Sequence, residues 1–385
     1  MTIAPLAVPD DLREIDDVYV AGGHRSWLVG GCVRDAIMGE KPKDMDAATT
    51  ARPLEQIAMC NAAGLKWFGT GIKHGTLTVL GRTTGEPYEI TTLRTDLECD
   101  GRHAEVAWTD DIELDLGRRD LSVNAIAMTM QGEIVDPFGG VQDCLDRRIR
   151  FVGDAATRIA EDHLRILRWF RFLGRFGPDA TFDDEDVRAI ARNAKLLQGI
   201  SVERIWSEMQ RILVGEDPAR VVRLMRKTGV LGVLGLREDD EEVLTRARAA
   251  SSDPAFIMAA WQKDRAADMM VAWKASRAEQ DAVGFALPRF RKSYAMGDAM
   301  VDLVDGADRT AVVSLLRMRD DPSSRRALRV LDAWTVPVFP VGGDDLIAAG
   351  MKPGVEMGRA LNGMKASWMA SGFTLTKEQL LGESA

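Results

Sequence analysis

The sequence predicts an α+β protein: a small mixed β-sheet flanked by helices at the N-terminus, followed by an all-α remainder. Two observations carry that expectation. Short β-like runs separated by Gly and Asp turns occupy the chain up to about residue 145, and beyond about 155 the apolar residues recur at helical spacing. The charge balance changes at the same place. Residues 1–146 carry 13 basic and 25 acidic side chains, whereas residues 147–227 carry 17 and 12.

The elements follow in order. Residues 27–29, 75–80, 88–93 and 125–130 read as strands, and breakers at 176–178, 215–218 and 342–343 divide the helical part. The chain has 385 residues, 46% hydrophobic and 28% charged, which is globular and long enough for two to four domains at about 100–200 residues each. No uncharged apolar run approaches the ~18 residues of a membrane span. The first seventeen residues carry acids and no apolar core, so export is not expected. Cys32, Cys60, Cys99 and Cys144 form no Cys-x-x-Cys, which fits a reducing cytoplasm and excludes a thiolate zinc site. The net charge of −9 excludes a uniformly basic coat for nucleic acid. The local basic excess over 147–227 still offers a polyanion somewhere to dock.

Four motifs carry chemistry. In Leu28-Val29-Gly30-Gly31-Cys32-Val33-Arg34-Asp35 a short strand meets two glycines and a helix, so that backbone N–H groups and Arg34 can approach an anion. It is neither a P-loop nor a Rossmann fingerprint. In Lys43-Asp44-Met45-Asp46 a strand start would put Asp44 and Asp46 on one face, a hard-oxygen site suited to magnesium, with Glu89 as a third carboxylate from the next β-like segment. In Arg118-Arg119-Asp120-Leu121-Ser122-Val123-Asn124, Arg119 can reach phosphate while Asp120 and Asn124 can hold a ribose. A helix expected from about Arg158 places Ile166, Leu167, Trp169, Phe170 and Leu173 on a core face. Its other face is a stripe of Arg165, Arg168, Arg171 and Arg175. Four arginines without a lysine suggest phosphate or planar recognition rather than a solvated face. His163 falls toward the apolar side and reads as a core histidine, and no His-Asp pair marks a hydrolase. Most tryptophans read as core, with Trp261 or Trp273 as conceivable RNA contacts.

Taken in series, Gly30-Gly31-x-Val33-Arg34-Asp35, Asp44-x-Asp46, Arg118-Arg119-Asp120-x-x-x-Asn124-Ala125, Asp136-Pro137-Phe138-Gly139-Gly140, Glu161-Asp162-x-x-Arg165 and Ile200-Ser201-x-Glu203-Arg204 closely resemble the class II tRNA nucleotidyltransferases. These are the CCA-adding enzymes and the related bacterial poly(A) polymerases. The resemblance covers residues 28–205, and a looser one covers 339–373. It implies a catalytic head over 1–145, a helical neck with the base-selection helix over 146–215, and a helical body and tail that binds tRNA over 216–385. It implies template-independent addition of C, C and A from CTP and ATP to the tRNA 3′ end, releasing pyrophosphate, with no membrane and no obligatory protein partner.

Under the same resemblance Asp44 and Asp46 hold two Mg2+ ions, and Glu89 lies where a further catalytic carboxylate is expected. Gly31, Arg34 and Arg119 contact the triphosphate, and Asp120 and Asn124 lie on the sugar side. Asp162 and Arg165 select the base: cytosine and adenine each present an amine donor beside a ring-nitrogen acceptor, whereas guanine and uracil reverse the order. Arg168 and Arg171 sit behind that pair or meet phosphate, and the segment Ile200–Arg204 braces the helix. A poly(A) polymerase shares the same head but tends to end in a basic extension, whereas this chain ends Leu381-Gly382-Glu383-Ser384-Ala385.

Overall fold

The computed structural model describes residues 7–99, 104–291 and 293–382. His103, the Cys99 side chain and the acidic end 383–385 lie outside the described residues. The chain divides into two compact units. The first comprises residues 1–242 and 272–275, and the second 243–271 and 276–385.

The first unit is built on a sheet of β1 (Ser26–Val29), β2 (Ala47–Thr49), β3 (Trp67–Gly71), β4 (Thr76–Leu80), β5 (Pro87–Thr92), β8 (Ala127–Met128) and β9 (Ile134–Val135), in the order β3-β4-β5-β2-β1-β8-β9. β6 (Arg94–Cys99) and β7 (Ala104–Trp108) form a separate hairpin. Around the sheet lie α1 (Asp10–Ala21), α2 (Gly31–Ile37), α3 (Pro53–Ala63), α4 (Ile112–Gly117) and α5 (Gly140–Leu145). Then come α6 (Ala155–Glu161), α7 (Arg165–Phe176), α8 (Asp184–Asn193), α9 (Val202–Leu213) and α10 (Pro218–Lys227).

Central β1 and β2 are almost wholly buried, whereas β5 alternates exposed and buried residues, so Glu89 faces outward between buried Tyr88 and Ile90. β2 and β5 are the parallel pair, with Ala47 opposite Ile90. One residue earlier, that register brings Asp46 level with Glu89. Asp44 and Asp46 precede β2 rather than lie within it, because the ladder begins only at Ala47. The run expected over 125–130 shortens to β8, since Ser122–Asn124 forms a 3-10 turn and Ala125 ends it. β3, β6, β7 and β9 have no counterpart among the strands expected from the sequence, and β2 begins at Ala47 rather than at Lys43.

The single helix expected from Arg158 is two. α6 ends at Glu161, and Asp162 is extended (φ −149°) with its Oδ1 accepting the Leu164 amide at 3.1 Å. A short carboxylate that bonds the backbone two residues on competes with helix continuation. His163 therefore sits half-buried in the break rather than in the core. Beyond the break the amphipathic reading holds: Ile166, Leu167, Trp169, Phe170 and Leu173 are all buried. Breaks also occur at Gly177, between α9 and α10, and before the helix Gly343–Ala348.

The second unit is helical among its described residues, with Trp261 fully buried in Pro254–Gln262 and a small C-terminal core of Leu346, Met357, Met364, Trp368 and Leu380. Trp261 therefore offers no face to RNA. Trp273 is buried as well, its ring 6.0 Å from that of Trp206. The segment 136–140 is fastened at its end: the Asp136 carboxylate accepts the amides of Gly140 and Val141 at 2.7 and 3.0 Å.

One buried acid yields a stability prediction. Asp186 on α8 is 5% exposed, and its Oδ2 accepts both the Phe151 amide and Trp169 Nε1. Burial pushes its carboxyl up to about 6 against those two donors. A raised carboxyl stabilises the fold while protonated and loses that contribution as pH climbs through 6. Asp186→Asn keeps the accepting oxygen and cannot ionise. It is expected to be about 1–3 kcal/mol more stable than wild type at pH 8 and no different near pH 4. Urea unfolding at both values checks this, and equal stability at pH 8 would refute the buried-acid account.

Candidate active site

A cleft of about 1440 Å³ in the first unit gathers Gly30, Gly31, Arg34, Asp44, Asp46, Glu89, Arg119, Asp120, Asn124, Asp162, Arg165, Arg168 and Arg171. Every residue expected from the sequence to serve catalysis or nucleotide binding therefore lines one opening, with the carboxylates at β2 and β5 and the arginines of α7 both on its walls.

At the acidic corner, the Asp46 carboxyl is pushed up by burial, then by Glu89 and Asp44, and pulled down by Arg119. Three acids thus interact through space where a cation would relieve their repulsion. Among the described residues, no three His, Cys, Asp or Glu side chains converge tightly enough to make a ready metal cage.

The glycine turn works differently from the reading of the motif. Gly30 has φ 69°, and a Cβ there would stand 2.7 Å from Arg119 Nη1. Gly31 is the first residue of α2, where a Cβ would meet only Arg34 Nη2 at 3.7 Å. The strict glycine requirement therefore falls on Gly30.

Arg34 is not an open phosphate clamp. It is 5% exposed, donates Nη1 to Asn124 Oδ1 at 2.5 Å, and is gripped by Asp35 through Nε and Nη2 at 2.9 and 2.7 Å. Asp35 also accepts from Arg175 at 2.7 Å. Asn124 Nδ2 donates to Asp120 Oδ1 at 3.1 Å, and Asp120 Oδ2 accepts Arg168 Nε at 2.6 Å. The result is a continuous relay from Arg175 through Asp35, Arg34, Asn124 and Asp120 to Arg168, fastening α2 and the 3-10 turn to α7. Burial pushes the Asp120 carboxyl up, but Arg168, Asn124 and the Leu121 amide outweigh it and hold it at about 2.

Arg119 spends Nη1 on the Asn124 carbonyl and Nη2 on Asp115, and its buried Nε has no partner. Asp115 escaped the sequence reading. It is 1% exposed and pairs with both Arg118 and Arg119. An acid three and four residues before an arginine pair on a helix was the available signal.

At the junction of α6 and α7, the side chains of Asp162 and Arg165 do not pair with each other, although the Arg165 amide donates to the Asp162 carbonyl at 3.0 Å. Asp162 Oδ2 accepts Arg204 Nη2 at 2.8 Å, so the segment containing Arg204 does brace this junction. Arg165 donates Nη1 to Glu161 and to the Arg158 carbonyl, and Nη2 to the Arg118 carbonyl at 2.7 Å. Arg171 meets Glu208 at 3.3 Å without hydrogen-bond alignment, its guanidinium lies over Phe172, and burial lowers it to about 10. The arginine stripe is thus largely matched by carboxylates. The basic excess counted from the sequence overstates the free positive charge in the cleft.

A family profile described as the poly A polymerase head domain matches residues 26–150. A second, described as a probable RNA and SrmB-binding site of polymerase A, matches residues 181–235. The chain is also 35% identical over 392 residues to "CCA tRNA nucleotidyltransferase 1, mitochondrial" of Danio rerio, covering 97% of this chain and 90% of the relative. The chain belongs to the CCA-adding tRNA nucleotidyltransferase family. Within the family, the CCA-adding enzyme of Geobacillus thermodenitrificans is 41% identical over 229 residues, which is 59% of this chain and 55% of that one. The crystal structure of the Bacillus stearothermophilus CCA-adding enzyme in complex with CTP superposes with a TM-score of 0.77 at 29% identity, over 97% of both chains. Family membership makes this protein a nucleotidyltransferase and the cleft its candidate active site. The family depends on divalent metal. No helix among the described residues is long and apolar enough to cross a membrane.

Proposed function

We propose that this protein adds C, C and A from CTP and ATP to the 3′ end of tRNA without a nucleic-acid template, releasing pyrophosphate. The observation that carries the reading is the meeting, in one cleft, of an acidic corner at Asp44, Asp46 and Glu89 with the Asp162–Arg165 junction. The names of the relatives, which are CCA-adding enzymes, support it.

Asp44 and Asp46 would hold magnesium, two ions in our reading, with Glu89 beside them. Bound there, magnesium supplies a lowered pKa at the attacking 3′-hydroxyl and charge neutralisation at the leaving pyrophosphate. The residues of this chain do the rest. The Gly30–Gly31 turn lets the backbone approach the triphosphate, and Arg119, whose side chain is 20% exposed against 5% for Arg34, is the phosphate contact we favour. Arg34, Asp120 and Asn124 hold the wall of the nucleotide site through their relay. That assigns Arg34 a positioning role more than a phosphate one, with Arg168 behind the base and Arg171 beside it.

Base reading follows from what Asp162 and Arg165 have left. Each Asp162 oxygen carries one partner and keeps a lone pair for an exocyclic amine. Arg165 has committed both Nη1 hydrogens and one of Nη2, which leaves Nε–H and one Nη2–H for a ring nitrogen. Cytosine and adenine satisfy both groups. Guanine and uracil leave both unpaired, at a cost of about 1–3 kcal/mol for each buried group.

We assign residues 1–145 to the catalytic head, 146–215 to the neck and 216–385 to the tRNA-binding body and tail. We place the protein in the cytoplasm, on the free buried thiols of Cys32, Cys60 and Cys144. The name of the zebrafish relative says mitochondrial, and fractionation of the source cells distinguishes the two.

Incubation with tRNA lacking its 3′ end and each nucleotide separately tests the activity. Two additions are expected from CTP alone, and a third only when ATP joins. An adenosine homopolymer on any RNA, without cytidine incorporation, would make the protein a poly(A) polymerase instead.

A further inference from the structure

The stretch 272–275 groups with the first unit although the chain on both sides of it belongs to the second. It is clipped to the first turn of α9 at two adjacent residues. Lys274 Nζ meets Glu203 Oε1 at 2.6 Å, and the Trp273 ring lies 6.0 Å from that of Trp206. Both indoles are buried, at 7% and 4% exposure. Glu203 and Trp206 are three residues apart and share a helix face. Between them stands Arg204, which donates to Asp162 at 2.8 Å.

That turn needs fastening. The N-cap Ser201 makes no side-chain bond to the helix amides, so the start of α9 lacks the usual cap. Arg204 is 38% exposed, and a long guanidinium side chain gives up rotamer freedom to stay on one carboxylate. The Lys274–Glu203 pair is exposed and contributes little stability on its own. Its value lies in orientation, while the two buried indoles, tilted 47° to each other, supply the burial.

We propose that Trp273 and Lys274 are positioning residues for nucleotide selection: by clamping the first turn of α9 they hold Arg204 on Asp162, and so keep the Asp162 carboxylate aimed at the incoming base. This rests on the reading of Asp162 as a base-selecting group. It also accounts for a tryptophan and a lysine that no catalytic or RNA-contacting role claims.

The test is single-turnover addition of CTP and of UTP to tRNA lacking its 3′ end, read as the ratio of the two kcat/KM values. Trp273→Ala is expected to lower that ratio about tenfold, and Lys274→Glu about threefold. Trp273→Phe should restore most of the first loss, and the charge swap Glu203→Lys with Lys274→Glu most of the second. Arg204→Ala should lower the ratio as well, and adding Trp273→Ala to it should change nothing further. An unchanged ratio in Trp273→Ala and Lys274→Glu, with Asp162→Asn collapsing it, would overturn the proposal and leave the base-reading assignment standing. Losses that multiply between Arg204→Ala and Trp273→Ala would overturn it too. A ratio unmoved by Asp162→Asn removes the base-reading assignment and this proposal with it. If Trp273→Ala fails to fold, the exposed Lys274–Glu203 pair still decides through the charge swap.

Discussion

Asp46→Asn is expected to reduce nucleotide incorporation at least about a thousandfold while leaving the fold intact. The two halves of that expectation have separate grounds. For activity, the substitution removes one of two carboxylates proposed to hold magnesium, and an amide oxygen carries no compensating charge. For stability, only the backbone of Asp46 is built into the structure, its carbonyl accepting the Val29 amide at 3.0 Å. Its carboxylate is instead strained by burial and by Glu89 and Asp44, so neutralising it costs nothing in folding. Single-turnover assays and a thermal melt on the same sample check both, and retained activity would sink the metal assignment.

The same carboxyl sets a pH dependence. Because its pKa is raised, Asp46 takes up a proton, and loses its hold on a cation, at higher pH than an ordinary aspartate. Glu89→Gln removes the second-largest cause of that rise. The acid limb of magnesium binding should then move to lower pH. Loss of activity without such a movement would make Glu89 a participant in the chemistry rather than an electrostatic neighbour.

The sequence made the membership of the site legible but not its bonding. Residue types at motif spacing identified thirteen residues that do line one cleft, Gly30 among them. Spacing says nothing about which way a guanidinium turns. Arg34 looked like a phosphate clamp because it follows a glycine turn, yet Asp35 and Asn124 claim its fork. The arginine stripe looked like free positive charge. Arg165 has a local partner in Glu161, but the partners of the other three, Asp120, Glu208, Asp35 and Glu40, come from segments up to 140 residues away, beyond the reach of any helical wheel. The helix break at Asp162 was hidden for the opposite reason: it is local but made by one side-chain bond, which no periodicity registers. Strands β2, β8 and β9 were missed or overdrawn because two or three residues carry no period to read. The long amphipathic stretch of α7 was legible because burial and periodicity agree along its whole length.

Asp120→Asn is expected to cost about 2 kcal/mol at pH 7, and Asp120→Ala about 2–4 kcal/mol, from a carboxylate that touches no solvent-facing partner except Arg168. Asp120 is 5% exposed and accepts from the Leu121 amide, Asn124 Nδ2 and Arg168 Nε. Alanine would orphan all three donors, though Arg168, 38% exposed, can recover some hydration, which limits the loss. Asparagine keeps an acceptor but abolishes the charge.

The sign of the pH dependence separates this site from Asp186. With its carboxyl held at about 2, Asp120 is depressed below the unfolded value, so it stabilises the fold above pH 4 and loses that contribution as pH falls through the folded value. The deficit of Asp120→Asn should therefore be flat from pH 7 to about 4.5 and begin to shrink below, whereas the gain of Asp186→Asn shrinks from about 6 downward. Urea unfolding across that range reads both. A deficit that stays constant into acid would mean the relay depends on the shape of Asp120 rather than its charge. The chain of bonds from Arg175 to Arg168 would then be packing that happens to be polar, not the charged tie between α2 and α7 that the geometry describes.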